Sequence, residues 1–556
     1  MEPTPLAEVD AVIERLHAKK DAWLAVSVDE RIRLLEKCID ATLAVAEEWG
    51  AAGARIKGLD PHETMAGEEW VAGIMPTIRN ARLLANALRA GGAPRAVLRT
   101  RTDGQTVARV FPSNAMEKLM FAGITADVWI TKGERPTQGA IYRDKTKKKK
   151  EGVVSLVLGG GNVSSIPPMD VLYKLFAEDE VVLLKMNPVN ESLGPVLGKA
   201  FAPLVEGGWL AIVYGGAAVG GHAAKHPKIG SLHVTGSDRT YDAIVWGDRD
   251  KKNPEAAPVN PKPFSAELGC VTPVLIVPGP WSESDVRYQA RHVASMVTQN
   301  ASFNCNAAKV VVTARGWLQR DAFLAALHEE LRRMRPRKAY YPGAQDRYRA
   351  FMEHYPNAQV LGAEAEGSVP WTAIPDVSPD AGGYALTNEA FCGVIAEVTL
   401  DAEKLGHADV PIFLEEAVTF ANERCWGTLS CCVLVHPATE EEYGEQVREA
   451  IARLRYGGVG VNVWPGVIYG LVSPSWGAFP GHGPRDIQSG TGVVHNAFLF
   501  DHPEKSVVRA PFRIRPTPAW FGDHKNLLAL GRQLVAFEAR PSWGGVFRVA
   551  REALKG

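Results

Sequence analysis

The chain has 556 residues, 62 Lys+Arg against 63 Asp+Glu and a formal net charge of −1, with 46% hydrophobic residues. At roughly 150 residues per domain the length accommodates two to four domains, and the charge balance argues against a dedicated nucleic-acid or polyanion binder. No basic start followed by an apolar stretch marks a signal peptide, no run of about 18 apolar residues marks a membrane span, and the seven irregularly spaced cysteines show no C-x-x-C, so a cytoplasmic protein without a disulfide framework or zinc ribbon is expected.

Residues 5–90 read as helical. Leu6, Val9, Val12, Ile13 and Leu16 recur at helical spacing, and Ser27-Val28-Asp29-Glu30 has the form of a capping box ahead of Ile32, Leu35, Cys38 and Ile39. From about 95 to 150 the pattern turns to short, polar, strand-like pieces ending in Lys145-Thr146-Lys147-Lys148-Lys149-Lys150, read as a solvated loop or hairpin edge rather than a phosphate site.

Between 153 and 247, apolar runs alternate with helical stretches. Val153–Leu158 is followed by Gly159-Gly160-Gly161-Asn162 and a helix after Pro167-Pro168; Val181–Leu184 is closed by Lys185 and Pro188; Ala211–Val213 by Tyr214-Gly215-Gly216; Ser231–Val234 by Thr235-Gly236-Ser237. Such alternation predicts parallel strands with right-handed crossovers. Asn162, Lys185, Gly216 and Ser237 then all fall beyond the carboxyl ends of the strands, where open α/β sheets bind ligands. Glycines admit close backbone approach, and the helix starting near Ser237 offers free N–H groups to an anion, so a nucleotide site is expected. Residues 264–480 read as a second α/β unit, with Val274–Val277, Val310–Val312 and Cys432–Val435 as buried strands and Ser282–Gln299 and Asp321–Arg333 as helices. The tail from about 490 is rich in Pro, Trp and Arg and reads as irregular with one late helix.

Over roughly residues 30–490 the sequence resembles the aldehyde dehydrogenase superfamily. Glu267-Leu268-Gly269 matches that family's Glu-Leu-Gly-Gly segment, with Cys270 in place of the second glycine, and Gln299–Cys305 matches the segment of the nucleophilic cysteine. Asn162 and Lys185 have the family spacing, Gly216, Gly220 and Thr235-Gly236-Ser237 follow in order, and Asn388-Glu389-Ala390-Phe391 resembles the Glu-x-Phe segment.

The resemblance implies an α/β fold with a Rossmann-type cofactor domain (1–121 and 151–263), a catalytic domain (264–480), strand-built oligomerisation segments (122–150 and 490–515) and a C-terminal extension (516–556). It implies NAD or NADP as cofactor and oxidation of an aldehyde to an acid. Cys305 would be the nucleophile, since a thiolate is the reactive form of cysteine. Asn162 and the Cys305 backbone N–H would hold the oxyanion, and Glu267 would activate the deacylating water. Lys185, Pro188, Gly216, Gly220, Ser237, Glu389 and Phe391 would contact the cofactor. No metal site is implied, because His222 and His226 read as a surface helix; Cys425, Cys431 and Cys432 read as buried strand residues.

Two departures bear on the cofactor. Pro188 stands where NAD-preferring members carry an acidic residue, which opens the site to NADP. Tyr241 stands where a second glycine is common, which questions the pyrophosphate contact. Trp464, Trp476 and Phe479 suggest an apolar or aromatic aldehyde, and a homodimer or homotetramer is expected. Three alternatives stay open: a CoA-acylating dehydrogenase or acyl reductase, a cysteine hydrolase without a nicotinamide, and a non-catalytic crystallin-like relative.

Overall fold

A computed structural model describes all residues, 1–556. Five helical stretches open the chain, from Leu6–Leu24 to Met75–Arg89, interrupted by a π-helical turn at Trp70–Ile74. Ser27 caps the second of them by accepting the Glu30 backbone N–H, one half of the expected box. Three antiparallel strands follow: β1 (Val97–Thr100), β2 (Thr106–Phe111) and β3 (Thr125–Ile130). The lysine run lies in turns after them, where Lys149 pairs with Glu180 at 2.6 Å.

The alternating region forms β4 (Val154–Leu158), β5 (Val181–Lys185), β6 (Leu210–Val213) and β7 (Ser231–Thr235), and a fifth strand, β8 (Phe264–Glu267), completes the sheet. All neighbours are parallel, in the order β6-β5-β4-β7-β8. The crossovers run one way from β4 to β6 and the other way from β7 to β8, which opens a crevice beyond the carboxyl ends of β4 and β7. The boundary expected at 264 therefore shifts. β8 belongs to the cofactor-type sheet because its pairing with β7, not its local composition, decides its partner.

The larger sheet takes β9 (Thr272–Ile276), β10 (Ala308–Ala314), β11 (Gln359–Val360), β12 (Thr372–Val377) and β13 (Val394–Leu400). After a two-residue ribbon, β14 (Glu403–Lys404) and β15 (His407–Ala408), it takes β16 (Ser430–Leu434) and β17 (Gly458–Val461). β18 (Trp476–Gly477) and β19 (Val493–His495) pair separately, and β20 (Pro503–Arg509) returns to the large sheet. The order is β1-β2-β3-β20-β17-β16-β9-β10-β13-β12-β11, parallel from β20 to β12. The strands at 97–111, read with the first unit, thus extend this sheet instead. β3 and β20, one from each expected oligomerisation segment, pair with each other from Thr125↔Arg509 to Ile130↔Pro503.

Two apolar cores result. One joins the N-terminal helices to the β4–β8 sheet, with Val154, Leu156, Val181–Leu184 and Leu232 buried. The other surrounds the large sheet, with Val274, Ile276 and Val310–Val312 at its centre. Cys431 and Cys432 are buried in β16 as expected. The tail is more ordered than its composition suggests. Helices Leu527–Ala539 and Trp543–Ala553 follow, and the first packs on the N-terminal helices at Trp70 and Gly67. No helix is long and apolar enough to cross a membrane.

Candidate active site

The crevice beyond the β4–β8 sheet opens into a cavity of about 910 Å³ that runs to the large-sheet domain. All ten residues singled out in the sequence line it: Asn162, Lys185, Pro188, Gly216, Gly220, Ser237, Glu267, Cys305, Glu389 and Phe391. Four come from the turns after β4, β5 and β6, as the alternation requires.

At the nucleotide end, Gly216 begins the helix Ala217–Lys225 without any side-chain cap, and a Cβ at Gly216 would meet nothing within 4 Å but the open cavity. Its first N–H groups are therefore available to an anion. Ser237 caps the helix Asp238–Val245 by accepting the Thr240 N–H. Tyr241 does not intrude: it is buried and packs its ring on Phe264 at 4.8 Å. Lys185 is held by the Gly215 carbonyl at 3.0 Å, and burial pulls its pKa below the ordinary lysine value. Lys225 and Arg239 line this end too, residues that no motif marked.

At the other end Cys305 is the one cysteine of seven that is not fully buried. Its thiol donates to Glu267 Oε1 at 3.2 Å. Burial, then the neighbouring Glu267 charge, push the Cys305 pKa well above its usual value. Burial likewise raises Glu267, against an opposing pull from His495. The pair is a protonated thiol facing a carboxylate that can take its proton. Glu389 is also raised by burial, to about 7, and its Oε1 has no hydrogen-bond partner. A Cβ at Gly269 would come within 1.9 Å of Glu389 Oε2 and displace that carboxylate.

The segment before Cys305 is bent by three consecutive non-glycine residues at positive φ: Asn300 (54°), Ala301 (54°) and Ser302 (67°). Each such residue costs of the order of 1–2 kcal/mol, so surrounding contacts must hold the bend. They come from three parts of the chain. Asn300 Nδ2 donates to the Asn162 carbonyl at 2.9 Å, and the Asn300 backbone N–H donates to Glu68 at 3.4 Å. Asn162 Nδ2 donates to the Phe303 carbonyl at 2.9 Å, and the Tyr340 hydroxyl sits between Asn162 O and Asn300 Oδ1 at 2.9 and 3.0 Å. Glu68 is in turn clamped by Arg337 at 2.8 Å. Lys309, fully buried below, donates to the Ser302 carbonyl at 3.3 Å. Sequence spacing cannot reveal Glu68, Arg337 or Tyr340, because each reaches the bend from a distant element.

None of the three aromatics read as an aldehyde tunnel, Trp464, Trp476 and Phe479, lines the cavity. Trp464 donates to the Asn306 carbonyl inside the core, and Phe479 faces a separate hollow. Only Trp476 lies beside Glu267, its indole N–H otherwise without a partner. His222 and His226 both face Asp10, at 2.5 and 3.8 Å, across the packed helices.

No family model and no curated sequence matches the chain. Solved structures do. An NAD-dependent aldehyde dehydrogenase from Sinorhizobium meliloti is 18% identical, covering 93% of this chain and 89% of that one with a TM-score of 0.63. An aldehyde dehydrogenase from Mycobacterium tuberculosis complexed with NAD+ is 17% identical over 93% and 92%, with a TM-score of 0.61. An NADP-dependent glyceraldehyde-3-phosphate dehydrogenase from Bacillus halodurans C-125, complexed with NADP, is 16% identical over 91% and 92%, with a TM-score of 0.59. At these identities the likeness speaks for architecture, and it spans more than nine-tenths of this chain: the chain has the aldehyde dehydrogenase fold.

Proposed function

We propose that the chain oxidises an aldehyde to a carboxylic acid with NAD or NADP, using Cys305 as nucleophile. The observation that carries this reading is the juxtaposition, in one cavity, of an accessible thiol at 3.2 Å from a buried carboxylate and of a parallel-sheet crevice with one uncapped helix start, at Gly216. A dinucleotide suits the cavity. The Gly216 turn offers free N–H groups to a pyrophosphate, and the orphaned Glu389 Oε1 is an acceptor awaiting hydroxyl donors. Lys185, Ser237, Glu389 and Phe391 would hold it. When bound, it supplies the two-electron oxidant.

Glu267 takes the Cys305 proton as the sulfur bonds to the aldehyde carbon. One N–H of the Asn162 amide is committed to Phe303; its second N–H and the Cys305 backbone N–H receive the oxyanion. One such donor is typically worth about 2.7–4 kcal/mol. After oxidation the acyl group is held as a Cys305 thioester; Glu267, having released the thiol proton to solvent, removes a proton from the attacking water and returns it to the departing Cys305 sulfur. A carboxylate at the thiol favours water over CoA as acyl acceptor.

The test follows cofactor reduction by absorbance across an aldehyde panel. Cys305→Ala removes turnover and leaves cofactor binding intact. Glu267→Gln gives one rapid equivalent of NAD(P)H per site and then a slow steady rate. Substantial turnover in Cys305→Ala would sink the assignment.

A further inference from the structure

The turn that carries Asn162 is held from two sides, and the reaction so far uses only one. Residues 159–165 run from β4 to the helix Ile166–Phe176 and belong to neither. On the side of Cys305, the Asn162 amide donates to the Phe303 carbonyl, and the Asn162 carbonyl accepts from Asn300 and Tyr340. On the other side, Ser164 and Ser165 reach into the opening helical layer. Ser164 Oγ accepts the Trp49 indole N–H at 2.8 Å and donates to Glu69 Oε1. Ser165 Oγ donates to the Ala72 carbonyl at 2.6 Å, inside the π-helical turn Trp70–Ile74, and meets the Tyr469 hydroxyl at 2.7 Å.

Glu69 is the unusual member of this contact. It is 1% exposed, and the ammonium of Lys57, itself buried, stands 2.8 Å from its Oε2. Two glycines leave the space for it. A Cβ at Gly53 would come within 2.4 Å of the Glu69 carboxyl carbon, and one at Gly73 within 2.3 Å of Ser164 Oγ and 2.7 Å of Glu69 Oε1. A buried ion pair adds little stability over apolar residues of similar volume, so packing alone does not account for one at this place. What a carboxylate adds is a strong, directional acceptor that fixes a hydroxyl.

Its neighbour in the chain makes the complementary contact. Glu68, gripped by Arg337, accepts the Asn300 N–H of the bend before Cys305. Two adjacent carboxylates of one short helix, Gly67–Glu69, thus hold both segments that carry the oxyanion donors: the bend that presents the Cys305 N–H and the turn that presents the Asn162 amide. Such donors stabilise a transition state only if they are fixed in place before the charge develops.

We propose that Glu69, set by Lys57, is a positioning residue for the oxyanion: through Ser164 it fixes the turn that aims the Asn162 amide. The proposal rests on the reading of Asn162 as an oxyanion donor given above. No proton passes through Glu69 and no bond forms to it; its part is to keep the turn from drifting.

Two variants test it. Ser164→Ala removes the tethering hydroxyl and leaves the Lys57–Glu69 pair intact. Lys57→Met combined with Glu69→Leu replaces both charges by apolar side chains of similar size, so that neither is stranded in the core. In each, the single-turnover rate of cofactor reduction by aldehyde falls at least about tenfold, and cofactor affinity stays within about twofold. Alkylation of Cys305 by iodoacetamide keeps its rate and its pH midpoint, because displacement at a saturated carbon develops no oxyanion, and the bend keeps Glu68, Tyr340 and Lys309. A residue that only packs lowers alkylation and turnover together, or lowers the denaturant midpoint alone, and either result would overturn the proposal. Asn162→Ala separates the proposal from the reading beneath it. If Asn162→Ala slows the single turnover and Ser164→Ala does not, the positioning role alone fails. If Asn162→Ala leaves that rate unchanged, the oxyanion reading fails and the proposal with it. In the double variant, the Ser164 change costs less than about twofold beyond Asn162→Ala; a second full loss of about tenfold would show that Ser164 acts elsewhere and reject the role. A wild type that oxidises no aldehyde rejects both.

Discussion

Single side chains are expected to decide which dinucleotide the cavity takes and at what pH it binds. Pro188 lines the cavity where a carboxylate would accept ribose hydroxyls and repel a 2′-phosphate. Proline does neither, and Lys185 stands three residues away, with Lys225 and Arg239 also lining the cavity. At an effective dielectric near 20, a unit charge pair at about 4 Å is worth roughly 4 kcal/mol before desolvation, and a quarter of that favours NADP about fivefold. NADP is therefore expected to serve at least as well as NAD, and Pro188→Glu to shift preference toward NAD, read as the ratio of kcat/KM for the two. A wild-type preference for NAD above about a hundredfold would show that another side chain discriminates. Glu389 is expected to set the pH dependence of binding. Burial raises its pKa from 4.5 to about 7, so it is protonated below that pH and ionised above it. If the carboxylate accepts ribose hydroxyls, cofactor affinity rises as pH climbs through about 7, and Glu389→Gln flattens the profile; titration by fluorescence quenching from pH 6 to 8 measures both.

What was legible in the sequence also sorts by residue. Cys305, Glu267, Lys185 and Glu389 stand in short motifs, and a motif is visible without a fold. Lys57, Glu69 and Ser164 carry no such mark: they lie 12 and 95 residues apart along the chain, and only the meeting of the opening helical layer with the turn after β4 makes them a cluster.

Among elements, the parallel strands were readable because runs such as Val181–Leu184 are apolar, β-branched and closed by turn residues. Pairing was not. Phe264–Glu267 has the same local character whichever sheet takes it, and 97–111 is polar enough to pass for a surface excursion. The C-terminal helices were missed for a different reason. Their stabilising contacts are long-range: Glu538 meets Arg79 at 2.8 Å and also Arg82, while Arg79 reaches Glu117 at 2.7 Å, with Arg79, Glu117 and Glu538 about 2% exposed. Removing one partner of a buried ion pair costs about 3–5 kcal/mol because the other charge stays buried. Glu538→Ala leaves Arg82 without its carboxylate and Arg79 with Glu117 alone, and is expected to lower the denaturant midpoint by that amount of stability. A change below about 1 kcal/mol would mean that the tail helix is dispensable to the N-terminal layer.

For the whole molecule, the large sheet ends on an edge that is unusually bare. β1 exposes Val97 at 54% and Leu98 at 50%, and no residue beyond it covers the strand. An apolar edge strand left open invites pairing with another chain. β1 adjoins β2, β3 and β20, the neighbourhood in which the resemblance implies an oligomerisation element. An isologous dimer through this region is the expected assembly. Light scattering at micromolar concentration reports it, and Leu98→Lys weakens it; a wild-type monomer under those conditions would count against the assignment.

The left-handed bend before Cys305 has a mechanical consequence. It is fastened to the crevice sheet through Asn162, to the opening helical layer through Glu68, and to its own domain through Tyr340 and Lys309. A rocking of one half of the molecule against the other must therefore either snap these tethers or drag the thiol with it. The sulfur is in effect a gauge of how far the cleft is shut, and its reactivity toward a small alkylating agent would report cleft closure as faithfully as any distance measured between the halves.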